Sequence, residues 1–95
     1  MSAPRLRWRR VKRERWDAAP DGWELMFGDR WVGRVFAGRP PREPFGSVDR
    51  WRWVARVATR EARGEAPLTD EGAAQCKREC RAWVEARLSE EGLRR

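Results

Sequence analysis

Asp49-Arg50-Trp51-Arg52-Trp53-Val54-Ala55-Arg56-Val57 alternates apolar side chains with arginine, and this alternation decides the fold. Side chains two apart on an extended chain share a face. Trp51, Trp53, Ala55, Val57 and Thr59 therefore form one face. Arg50, Arg52, Val54, Arg56, Ala58 and Arg60 form the other. The period predicts a strand over 49–60 with an apolar side that must be covered.

Upstream, Trp23, Leu25 and Phe27 alternate against Glu24 and Met26, which predicts a half-buried strand over 22–27. Gly28-Asp29 suits a two-residue hairpin turn. A second strand over 30–37 then puts Trp31, Gly33, Val35 and Ala37 on one face and Val32, Arg34 and Phe36 on the other. Gly33 marks close packing or a bulge. Between 38 and 48, Pro40, Pro41 and Pro44 remove backbone donors and predict a loop.

Downstream, 61–67 reads as a turn. Thr69 is an N-cap candidate, with Asp70 and Glu71 placed to favour the helix dipole. Leu68 is positioned to staple onto Ala73. Ala73, Cys76, Cys80, Trp83, Val84 and Leu88 follow helical spacing, so a helix is predicted from 70 to 88. Residues 1–16 read either as a basic arm or as a first edge strand, with Leu6 and Trp8 on one face. Residues 17–95 read as a single meander-plus-helix domain. The expected fold is α+β: a three- to four-stranded antiparallel β-meander packed on one C-terminal α-helix. The helix stripe is expected to cover Trp23, Leu25, Phe27, Trp31, Val35, Trp51, Trp53 and Val57.

The chain has 95 residues, with 7 Trp and neither Tyr nor His. Its net charge is +7, and of 22 basic residues only Lys12 and Lys77 are lysines. Residues 1–15 hold seven basic residues and one acid, so much of the excess lies there. Guanidinium beside indole suits phosphate contact and base stacking. It suits acid–base catalysis poorly, and no phosphate-cradling glycine loop or nucleophile elbow is present. A non-catalytic binder is expected, not an enzyme. The candidate contacts for nucleic acid or an acidic partner are Arg7, Arg9, Arg10, Lys12, Arg13, Arg34, Arg52 and Arg56. Trp8 and Trp16, set among charges, are candidate aromatic anchors.

Cys76 and Cys80 are four apart on one helix, a geometry that does not favour a mutual disulfide. With no His and no third Cys a zinc site is not expected, nor is any other cofactor. Both read as small buried hydrophobes. No stretch is apolar enough to span a membrane, and no apolar segment follows the basic start as a secretory signal would. A reducing, cytoplasmic setting is the expectation.

Trp31-Val32-Gly33-Arg34-Val35, Arg50-Trp51-Arg52-Trp53-Val54-Ala55 and Leu68-Thr69-Asp70-Glu71-Gly72-Ala73-Ala74-Gln75-Cys76-Lys77 together resemble small phage and prophage accessory proteins. These show a W-x-W strand, a Gly-containing turn and a Ser/Thr-capped helix rich in Ala and charge. The resemblance covers roughly residues 22–88. Two groups are similar in architecture. The arm-binding domains of phage-type integrases have a three-stranded sheet with a C-terminal helix, and the sheet reads DNA. Several anti-CRISPR proteins are small α/β phage products that block host effector complexes. The resemblance implies a mobile-element protein in a bacterial host cytoplasm that targets nucleic acid or a nucleoprotein complex, and in the anti-CRISPR case inhibits a defence effector. A net charge of +7 excludes an acidic DNA mimic. No residue role transfers from either group. A stand-alone DNA-binding domain, and a protein-interaction module or homodimer, are the alternatives.

Overall fold

The structure is a computed structural model that describes residues 5–12, 20–39 and 47–92. They form strands β1 (Leu6–Val11), β2 (Gly22–Phe27), β3 (Arg30–Gly38), β4 (Arg50–Val57) and β5 (Arg60–Pro67), then helix α1 (Asp70–Glu90). The strands make one antiparallel sheet in the order β1-β2-β3-β4-β5. The α+β fold follows the sequence expectation, with one strand more. Leu6–Val11 takes the edge-strand alternative, paired along β2 from Leu6↔Phe27 to Val11↔Gly22.

The additional strand is β5. The predicted 49–60 strand ends at Val57, the chain turns at Ala58-Thr59, and residues 60–67 return beside β4 instead of forming a turn. Ala58 sits at φ 55, in the left-handed region that usually marks a glycine. Arg60 consequently leaves the arginine face of β4 and pairs its guanidinium with Glu90 at the end of α1, 2.8 Å away.

β5 carries almost no apolar bulk because its partner supplies it. Trp53 lies opposite Gly64 and Trp51 opposite Ala66. A Cβ on Gly64 would collide with the Trp53 indole, so the missing side chain is where the ring rests. Large residues on one strand and small ones on the next interdigitate into a single layer, as close packing demands.

α1 lies over β3, β4 and β5. Its buried positions Ala73, Cys76, Cys80, Val84 and Leu88 follow the predicted stripe. They meet Leu25, Val35, Trp51, Trp53, Ala55 and Val57 in one core cluster, with Trp8, Trp23, Phe27 and Trp83 half-buried at its margin. Gly33 sets the closest approach, since a Cβ there would stand 2.6 Å from the Cys80 sulfur. The Thr69 hydroxyl accepts from the Gly72 amide at 2.9 Å and so caps the helix as predicted. Leu68, the expected staple residue, is 39% exposed. No helix among the described residues is long and apolar enough to cross a membrane.

Trp31 departs from its predicted place in the core. The β2–β3 register shifts between Leu25 and Met26: Leu25 pairs with Gly33, whereas Met26 pairs with Trp31. Val32 is therefore the extra residue of a β-bulge, buried with Gly33 on the helix side. The alternation reverses across it, and Trp31 emerges on the opposite face, 40% exposed.

Candidate functional site

The face of the sheet turned away from α1 is covered by no helix or strand among the described residues. The strand registers place its side chains in rows. One row runs Arg9, Glu24, Arg34, Val54 and Arg63 across all five strands. On one side of it lie Arg7, Met26 and Trp31. On the other lie Phe36, Arg52 and Glu65.

Arginine density on this face is not the same as available charge. Arg52 reaches Asp49 at 3.1 Å and Glu65 at 2.5 Å, with its stem laid across the bare backbone of Gly38. Arg50 joins the same Glu65 at 2.6 Å. Arg56 donates to Glu61, and Arg9 to Glu24. On the other side of β1, Arg10 is 3.3 Å from Asp21. Exposed pairs of this kind each stabilise by only about 0–1 kcal/mol. Even so, a ligand phosphate must compete with a carboxylate already in place.

Arg7, Arg34 and Arg63 are exposed and have no carboxylate within ion-pair distance among the described residues. The Arg34 guanidinium lies 5.2 Å from the centre of the Phe36 ring, a cation–π contact. Two shallow grooves follow the face. One, of about 340 Å³, runs between Trp31, Val54, Arg56, Glu61 and Arg63. The other, of about 420 Å³, runs between Phe36, Arg39, Arg52, Val54 and Arg63. Val54 and Arg63 border both.

The sequence-predicted contacts are thus divided. Arg7 and Arg34 share the open face without an ion pair among the described residues; Arg9, Arg52 and Arg56 share it too, but in ion pairs. Arg10 and Lys12 are exposed near the end of β1. Trp8 lies on the helix side, half-buried, with the Lys77 ammonium 5.2 Å from its ring and 4.6 Å from that of Trp23. Burial there lowers the Lys77 pKa from its ordinary value. Arg13 and Trp16 lie outside the described residues, as does most of the 38–48 loop. Sequence reasoning missed Arg63 and the exposure of Trp31. Glu61, Arg63 and Glu65 alternate only with the small residues Ala62, Gly64 and Ala66, too faint a signal for the first. For the second, Gly33 signalled close packing or a bulge but did not say which side chains the bulge would turn over.

The cysteines add no reactive site. Both are free and fully buried. Burial raises the thiol pKa to about 11 for Cys76, with Glu79 and Glu65 adding to it. Burial likewise takes Cys80 to about 12. The Cys80 thiol donates to the Val54 carbonyl at 3.8 Å. No group of three His, Cys, Asp or Glu side chains that could hold a metal gathers among the described residues. Comparison of the chain with protein-family models, curated proteins and solved structures finds no match.

Proposed function

We propose that this protein is a non-catalytic binding protein whose open sheet face contacts nucleic acid, alone or within a nucleoprotein complex. The carrying observation is a face that no described element covers, where Arg7, Arg34 and Arg63 stand around an exposed Trp31 without an ion pair among the described residues. Unpaired guanidinium groups supply phosphate contacts without first breaking an ion pair. An indole exposed among them supplies a stacking surface. The net charge of +7 adds long-range attraction for a polyanion. A host defence effector built on nucleic acid presents the same phosphate chemistry and falls within the proposal.

The test is binding of labelled DNA and RNA across a salt series. Affinity falls steeply with salt if phosphates are contacted, by a log–log slope of roughly 0.7–0.9 per phosphate. Arg34→Ala and Arg63→Ala each flatten the slope by about one such step, while Arg56→Ala changes it less. No binding at low salt, or a flat salt dependence, defeats the proposal. Sedimentation of the isolated protein checks the competing use of the face: a tight dimer abolished by Trp31→Ala would assign it to self-association.

A further inference from the structure

We infer that the open face takes single-stranded nucleic acid, with unpaired bases seated in the two grooves; this rests on the nucleic-acid reading above. Width is the first reason. Five strands at about 4.8 Å spacing place β1 and β5 roughly 19 Å apart. The major groove of a duplex is about 12 Å wide and admits a helix or a two-stranded ribbon. Trp31 and Phe36 both belong to β3, the central strand. A sheet this broad cannot bring the floor of its central strand to base edges inside a groove.

The second reason is what the floor offers. An indole face needs a base face, and in a duplex those faces are stacked on one another. An unpaired base presents one freely. Trp31 stands in the first groove. Phe36, beneath the planar Arg34 guanidinium, stands in the second. Four strand steps separate them once the bulged Val32 is discounted, about 13 Å. Arg63 borders both grooves, so a backbone passing from one to the other meets an unpaired cation midway.

The third reason is the position of the acids. Glu61 and Glu65 lie on β5 beside these grooves. Both are held by arginines, Glu61 by Arg56 and Glu65 by Arg50 and Arg52, so a phosphate laid there by a duplex meets an acid as well as a cation already engaged. A single strand turns its bases toward the floor and frees the amino groups of adenine, cytosine or guanine. Carboxylate oxygens accept from such groups, as they do from cytosine N4. The charge pattern complements a line of bases flanked by phosphates, not two phosphate rails.

The experiment compares a short labelled single strand of mixed sequence with its duplex, using the whole chain and reading anisotropy and Trp fluorescence. The single strand binds at least about tenfold more tightly than the duplex and quenches the indole emission. Trp31→Ala weakens it by about 5- to 150-fold, the equivalent of the ~1–3 kcal/mol a base–aromatic stack contributes. Trp31→Phe retains most of the affinity, and circular dichroism shows both variants folded. Equal or tighter duplex binding, indifferent to Trp31→Ala, overturns the single-strand assignment and leaves the nucleic-acid reading standing. No binding of either form at low salt overturns both. Binding of an acidic polypeptide through Trp31, with neither nucleic acid bound, overturns both in favour of a protein partner.

Discussion

The two faces of the sheet both carry tryptophan and put it to opposite ends. On the helix side, Trp51 and Trp53 are buried, and their strand neighbours shrink to Ala66 and Gly64 to admit them. On the open side, Trp31 is 40% exposed opposite a buried Met26, with no described helix over it. The first arrangement is what burial of large aromatic area demands in a small domain. The second supplies no comparable stability. The contrast assigns the Trp–Arg alternation of β4 to folding; under the proposed function, the binding chemistry falls to β3 and its neighbours.

The helix-side face is where substitutions cost most. Leu88 is 1% exposed and Leu25 fully buried. Leu88→Ala removes buried methylenes and leaves a cavity, with an expected loss of about 2–5 kcal/mol in denaturant unfolding. For a small domain, whose total is typically about 5–15 kcal/mol, that is a large share. Affinity for nucleic acid, measured well below the lowered midpoint, is unchanged. Equal damage to both properties would dissolve the separation of the faces.

Gly64 tests the fit between Trp53 and β5 from the opposite direction. Gly64→Val drives a branched side chain into the indole, with an expected cost of about 1–3 kcal/mol. Valine favours strands over glycine, so propensity alone predicts a gain instead. The sign of the change in midpoint distinguishes packing from propensity.

Proton linkage marks the same face. Cys80, with its pKa raised to about 12 from an ordinary value near 9, favours the folded state while it remains a thiol. This contribution is complete below pH 9 and is lost as pH rises toward 12; Cys76, at about 11, acts in the same sense. Stability of the wild type therefore falls more steeply between pH 9 and 11 than that of Cys80→Ala. Parallel profiles would show that the thiol is not held in the protonated form.

The antiparallel meander, the capped helix and the inward set of Trp51, Trp53, Val57 and Leu88 were legible because each follows from a period of 2 or 3.6. β5 was not legible, for two physical reasons. Its inward positions Ala62, Gly64 and Ala66 carry too little apolar area to show a period. Its turn is formed at Ala58, where sequence would mark a glycine. Ala58→Gly tests that account: at φ 55 a glycine removes the Cβ penalty, and a gain of about 0.5–1 kcal/mol is expected despite a more flexible unfolded chain. A loss would mean the turn relaxes elsewhere. Of the site, Arg34 was legible as an outward position. Trp31 was not, because the extra residue at Val32 puts it out of phase with the rest of β3. Arg52 and Arg56 were correctly set outward, but the acids that engage them come from a strand the pattern did not reveal.

The smallest expected stability effects fall on the open face, and there they separate availability of charge from its density. Arg56→Ala breaks the pair with Glu61, and Arg63→Ala breaks no ion pair. Both should shift unfolding by no more than about 0.5 kcal/mol, since exposed pairs contribute little. Their effects on binding should diverge. Removing Arg56 frees the Glu61 carboxylate, so nucleic acid meets one cation fewer and one uncompensated acid more. The affinity loss then carries a repulsive part that Glu61→Gln reverses in the Arg56→Ala background. Removing Arg63 takes away a phosphate contact with no liberated acid nearby, and Glu61→Gln should leave that loss in place. Rescue of both variants to the same extent would show that the face acts through net charge alone, and that pairing in the unbound protein does not determine which arginines bind.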